Sequence, residues 1–123
     1  MSNKKTIYIA GAMRNNIYYN FPNFFKAEIY LRSFGYVVVN PAKLSMECGI
    51  IPFIYPWTHD WSKEPNESDI IKTVERDLTN LLKCDAIYLL RGWDKSIGAR
   101  AEKAVAEWLN LEIIYENKEM CND

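Results

Sequence analysis

The chain has 123 residues, 49% of them hydrophobic and 25% charged, with 15 basic against 16 acidic side chains. That length and apolar content describe one domain able to enclose a real core without a metal or disulfide framework, and they exclude a disordered chain. A formal charge of -1 excludes a broad basic face wrapped around a phosphate polymer, so any anion bound here should be small and locally gripped.

The polar start, Met1 to Lys5, leads straight into Thr6 to Ala10 (TIYIA), which reads as a first buried strand rather than the core of a signal peptide. Gly11-Ala12-Met13-Arg14 follows it: small residues let backbone N–H groups approach an anion, and Arg14 supplies a planar donor fork suited to phosphate. The pattern lacks the full glycine fingerprint of a dinucleotide site or a P-loop. Asn23 to Phe34 reads as a helix, with Pro22 near its start and Gly35 just past its end. The aromatics ahead of and inside it, Tyr18, Tyr19, Phe21, Phe24 and Phe25, suit either a subunit interface or packing beneath that helix.

Tyr36 to Asn40 (YVVVN) reads as a second strand, ending at Asn40 on the sheet edge where ligands gather. Pro41 to Asn66 is long for a connection and rich in proline and tryptophan; Ile50 to Tyr55 fits a further strand or a short helix. A lid and an insertion packed on the body are equally compatible with it. Glu67 to Lys83 then reads as a helix whose apolar arc is Ile70, Ile71, Val74, Leu78, Leu81 and Leu82. Asp77 falls about 20° outside that arc, while Lys72, Glu75, Arg76 and Lys83 point well away. A half-buried helical aspartate needs a partner or a job, and Arg76, Arg100 and a backbone donor are the candidates.

Asp85 to Leu90 (DAIYLL) and Glu112 to Tyr115 (EIIY) complete the strands, and between them Ile97 to Asn110 reads as a helix. Its expected buried arc is Ile97, Ala101, Ala104, Val105, Trp108 and Leu109, with Glu102 about 20° beyond the edge. Helical side chains lean toward the N-terminus, so Glu102 is expected to lean over Gly98 into open space, ionised under the influence of the helix dipole. Glu107 belongs to the polar face. Short, continuously apolar strands alternating with helices predict one doubly wound α/β domain with a parallel sheet of four to five strands.

Cys48, Cys84 and Cys121 are odd in number, scattered and in no C-x-x-C pair, and His59 is the single histidine. This suits a reducing, cytoplasmic compartment and argues against a zinc site of the usual ligand types. No apolar stretch is long enough to span a bilayer.

The run Tyr8-Ile9-Ala10-Gly11, then Asp77 with Asp85 eight residues later, then Ser96-x-Gly98-x-x-x-Glu102, resembles the nucleoside 2-deoxyribosyltransferase superfamily. That superfamily includes the 2'-deoxynucleoside 5'-phosphate N-hydrolases, and its phage-associated members are especially similar. The resemblance covers residues 6 to 115 apart from the Pro41 to Asn66 segment, and its implied fold is the same Rossmann-like sheet. It implies cleavage of the N-glycosidic bond without metal or organic cofactor. Glu102 would attack C1' of the sugar, Asp77 would help the base leave, and Tyr8 would position the nucleophile, the two-carboxylate logic of retaining glycoside hydrolysis. Water or a second base would resolve the intermediate.

Ser96 and Arg14 stand where the nucleotide hydrolases carry a serine and an arginine, which implies a nucleoside 5'-monophosphate, with Gly11, Ala12, Met13, Asn40, Gly98 and Arg100 grouped around it. Ala12 replaces a phosphate-binding serine of the hydrolases, and Lys103-Ala104 replaces the usual Leu-Gly. Family members are homodimers or larger homo-oligomers whose sites borrow residues from a neighbour. Transfer between free nucleosides, cleavage of NAD or a cyclic nucleotide, and a non-catalytic nucleotide-binding module are the competing readings.

Overall fold

The computed structural model describes residues 4–13, 20–47 and 67–116. In chain order these form β1 (Thr6–Ala10), α1 (Phe21–Arg32), β2 (Val37–Val39), α2 (Pro41–Glu47), α3 (Glu67–Leu81), β3 (Ala86–Leu89), a 3-10 turn at Trp93–Lys95, α4 (Ile97–Trp108) and β4 (Glu112–Tyr115). The four strands pair in parallel in the order β2-β1-β3-β4. Helices cover both sides, as a doubly wound α/β fold requires.

Strand alternation decides which helix meets which residue. Ile7 and Ile9 of β1 and Ala86 and Tyr88 of β3 face α1, packing with Phe21, Phe24, Ala27 and Leu31, and with Ala42 of α2. Tyr8, Ala10, Ile87 and Leu89 face the other way, against Leu81 of α3 and Ala99 and Ala106 of α4. Phe21 and Phe24 are thus core residues under the first helix, not an interface; Tyr18 and Tyr19 lie outside the described residues.

The chain leaves β1 toward β2 on one side and leaves β3 toward β4 on the other. The β1/β3 boundary is therefore the switch point, where open α/β sheets bind ligands beyond the carboxyl ends of their strands. Gly11 closes β1 there. A Cβ on it would meet Leu90 Cδ1 at 2.8 Å and Leu90 Cβ at 2.9 Å, so only glycine lets the two strand ends approach this closely. α1 carries Pro22 in its first turn and is followed by Gly35 at φ 88°, a left-handed conformation that glycine adopts without strain.

Two expectations are corrected. Pro41 opens α2, so the connection after β2 begins as a helix; residues 48–66, with the expected strand or helix around Ile50 to Tyr55, lie outside the described residues. More consequentially, α4 does not bury its most apolar stripe. Ala99 and Ala106 meet the sheet, while Ile97, Ala101, Ala104, Trp108 and Leu109 are exposed. Small residues let α4 lie close on β1 and β3, and close approach of the backbone outweighs the larger transfer energy available to Ile97 or Trp108. Ile71 and Val74 of α3, and Leu82 just past its end, are likewise exposed.

Candidate active site

On the α3/α4 side of the sheet three elements bring Tyr8, Asp77 and Glu102 together. Tyr8 lies in the middle of β1 with no solvent exposure, and its phenol donates a hydrogen bond to Glu102 Oε2 on the second turn of α4. Glu102 is on the same helical face as Ala99 and Ala106, since residues three and four apart stack on one side. Its carboxyl group therefore turns into the packed layer rather than over open space as expected.

That position sets its charge. Burial is the strongest influence and disfavours the carboxylate; the Tyr8 hydroxyl opposes this, the negative charge of Asp77 adds to it and Arg76 opposes it, and the balance pushes the Glu102 pKa up to about 8. Glu102 of the unliganded chain is thus mainly protonated at neutral pH, contrary to the ionised state expected from the helix dipole. Tyr8 is driven well above the ordinary phenol range by burial and then by the charges of Glu102 and Asp77, so it remains a donor.

Asp77 is also buried, but a cation lies directly against it. Arg76 Nε donates to Asp77 Oδ1 at 2.8 Å, and Arg76 Nη2 approaches the same oxygen at 2.7 Å. Burial raises the Asp77 pKa, and Arg76 works against the rise through charge and hydrogen bond. Both side chains are 14% exposed, so this is a largely desolvated pair.

Of the three partners the sequence offered for Asp77 the structure selects Arg76, although its helical position pointed it well away from the apolar arc. Its guanidinium folds back beneath α3, where Nη2 also donates to Ser45 Oγ at 3.1 Å and to the Pro41 carbonyl at 3.4 Å, tying α3 to α2. Nη1 is buried without a hydrogen-bond partner. A wheel fixes only the direction of the Cα–Cβ bond, and a side chain of arginine's length can return to the core. The signal available in the sequence was the adjacency of Arg76 to Asp77.

The remaining expected residues divide into two groups. Gly11, Ala12 and Met13 follow β1 and are half-buried, and Arg14 lies outside the described residues. Ser96 is the N-cap of α4: its Oγ accepts the Ala99 N–H at 3.1 Å, which leaves its own hydroxyl proton free to donate. Gly98 sits in the first turn with open space around it, as a Cβ there would meet only Ser96 Oγ at 3.9 Å.

Arg100 points outward, with Nε reaching the Ser96 carbonyl at 3.4 Å, and does not partner Asp77. Asn40 is buried but engaged in the fold rather than offered to a ligand: Nδ2 donates to Glu28 Oε1 at 3.0 Å and Oδ1 accepts the Ala42 N–H at 3.0 Å, capping α2. Although burial opposes its charge, Glu28 is held below the usual carboxylate range by Asn40 and Arg32. Asp85 accepts the Thr6 N–H at 2.9 Å, a structural role at the start of the sheet. Lys103 is occupied by Glu107 at 3.0 Å and lies over the Trp93 ring at 5.3 Å.

Among the described residues no cluster of three His, Cys, Asp or Glu side chains could hold a metal, and no helix is long and apolar enough to cross a membrane. Cys84 is a free buried thiol, pushed up to about 11 by burial and by Asp85; Cys48, Cys121 and His59 lie outside the described residues.

Fold and site together define a doubly wound α/β domain that gathers two largely buried carboxylic acids, one of them paired with an arginine, and a buried phenol on the α3/α4 side of its sheet. The chain belongs to the domain family of unknown function DUF4406, whose model matches residues 5–115. No curated protein matches the chain.

Proposed function

We propose that the chain cleaves the N-glycosidic bond of a nucleoside 5'-monophosphate through a covalent sugar ester on Glu102. The observation that carries this reading is the Tyr8–Glu102 hydrogen bond beside the Arg76–Asp77 pair. Burial raises the pKa of both acids, and Arg76 hydrogen-bonds only Asp77, so the two carboxyl groups sit in different surroundings, the arrangement used to perform acid and base chemistry in one place.

In the proposed cycle the pair starts with one proton, on Glu102, whose pKa burial raises to about 8. For reaction this proton passes to Asp77, leaving the Glu102 carboxylate to attack C1'. The C1'–N bond breaks, its electron pair goes to the base, and Asp77 returns the proton to the departing nitrogen. Water then attacks C1', gives a proton to the Asp77 carboxylate and releases Glu102, and an acceptor base in place of water gives transfer. Tyr8 holds Glu102 Oε2 throughout and steadies the charge that appears there. At the sugar's 5' end the Ser96 hydroxyl, the N–H groups opening α4 and Arg14 supply donors to the phosphate.

The test is a panel of nucleoside 5'-monophosphates and the matching free nucleosides, followed by chromatography of free base. Release from the monophosphates, lost by about three orders of magnitude or more in Glu102→Ala, supports the assignment. Undiminished release by that variant refutes the nucleophile. Ligand recovered intact across the whole panel refutes catalysis and leaves a nucleotide-binding module. An added acceptor base separates transfer, seen as a new nucleoside, from hydrolysis.

A further inference from the structure

Arg76 is held in a position that its place on the helix does not favour. Its helical position points away from the apolar arc of α3, yet the side chain folds inward until only 14% is exposed. In that position Nη1 is buried without a hydrogen-bond partner, whereas an outward conformation would return every N–H of the guanidinium to water. Asp77 supplies one part of what holds it, and only through Oδ1, which accepts both Nε at 2.8 Å and Nη2 at 2.7 Å. The other part comes from α2.

We infer that Ser45 is a positioning residue: it keeps the Arg76 guanidinium folded against Asp77 and so fixes how that acid meets the departing base. Nη2 carries two protons and reaches three acceptors, Asp77 Oδ1, Ser45 Oγ at 3.1 Å and the Pro41 carbonyl at 3.4 Å. Pro41 and Ser45 stand one turn apart on the buried face of α2, so together they accept the proton that Asp77 leaves unused. The Ser45 contact is the shorter; the carbonyl alone lies at the long limit of a hydrogen bond.

Ser45 is anchored independently of Arg76, which decides which of the two positions the other. Asn40 fixes the start of α2, accepting the Ala42 N–H at 3.0 Å through Oδ1 and the Leu44 N–H at 3.1 Å through its carbonyl. Asn40 is itself tied to Glu28 of α1, and Ala42 is fully buried in the cluster under that helix. Ser45, 5% exposed, is thus a fixed point on a capped and packed helix. Arginine, with four side-chain torsions, is the partner that moves. Without the hydroxyl, a second N–H of the buried guanidinium is left poorly matched, the outward conformation gains, and the cation leaves Asp77.

The placement rests on contacts alone, and its effect on base release rests on the glycosidase reading. Two readouts keep these apart. The first is a carbon-13 titration of the Asp77 carboxyl, assigned with Asp77→Asn. Arg76 works against the burial that raises Asp77, so Ser45→Ala moves the Asp77 midpoint up, by about tenfold in proton affinity. The other groups facing Asp77, Glu102 of α4 and Tyr8 of β1, are unchanged in that variant, and Lys43 and Glu47 of α2 are on its exposed face. Ser45→Cys, similar in size but a weak acceptor, shifts the midpoint the same way, and Ser45→Thr, which keeps the hydroxyl, restores the wild-type value. In an Arg76→Met background Ser45→Ala adds nothing. An unmoved midpoint in Ser45→Ala and Ser45→Cys overturns the inference, as does an equal shift in the Arg76→Met background. The second readout is base release, where Ser45→Ala lowers kcat about tenfold and leaves KM unchanged. A shifted midpoint with no base released by the wild type refutes the glycosidase reading and leaves Ser45 as the residue that positions Arg76.

Discussion

Replacing Glu102 by glutamine removes a carboxyl group held near pH 8 in the fold while keeping an acceptor for the Tyr8 hydroxyl. A folded pKa raised from an ordinary value of 4.5 means that the native state holds its proton more tightly than the unfolded chain. The contribution to stability is therefore complete below about pH 4.5 and is lost as the pH rises through 8. Each pH unit inside that window is worth about 1.4 kcal/mol, so at pH 7 the wild type has given up about 3 kcal/mol that Glu102→Gln has not. Asp77 titrates in both proteins and largely cancels in the comparison.

Urea unfolding of both proteins at intervals from pH 5 to pH 8.5 measures this. The wild type should lose stability steadily relative to Glu102→Gln across the range and run parallel to it above about pH 8.5. Tyr8→Phe removes the hydrogen bond that favours the carboxylate, so its loss should extend to still higher pH. Parallel curves for wild type and Glu102→Gln from pH 5 to 8 would refute the burial argument, because Glu102 would then be ionised in both states.

Three further outcomes follow from contacts already described. Arg76→Met leaves Asp77 desolvated beside Glu102 and should cost about 3 kcal/mol in urea unfolding at pH 7, with the loss shrinking in acid as Asp77 takes up a proton. Gly11→Ala forces a Cβ to within 3 Å of Leu90, so strand ends or side chain must shift, at about 1–3 kcal/mol in thermal unfolding. In the proposed reaction the single shared proton sits on a group of pKa about 8, so kcat/KM for base release should fall above that pH. A profile flat to pH 10 would contradict the proton assignment.

Much of the frame was legible in the sequence because parallel strands are buried on both faces and read as continuous apolar runs. β1 and β4 have the expected bounds, and β2 and β3 are shorter by a residue at each end. Gly35 and Pro22 mark the ends of α1 for the conformational reasons that made them visible. Asp77 was legible as an acid at the margin of an apolar arc, whereas Glu102 was singled out beside an arc that the structure leaves exposed. The rotation of α4 was not, because a hydrophobicity wheel finds the most apolar stripe and cannot tell whether the sheet or another surface covers it. Ala99 and Ala106 carry little hydrophobic signal, yet only small residues fit where α4 meets the sheet. Arg76 was legible as a candidate partner of Asp77 and is the one the structure selects, although the wheel pointed it well away, since its charge places it outside while its length brings it back.

The central claim is that Glu102 becomes covalently joined to the sugar. Incubation with a nucleoside 5'-monophosphate bearing fluorine at C2', which slows release of a glycosyl ester more than it hinders isolation of one, followed by intact-mass analysis and peptide mapping, tests it. The account predicts one sugar phosphate per chain, located on Glu102 and absent from Glu102→Gln. Base released with no adduct on the protein, or an adduct mapping to Asp77, would contradict it.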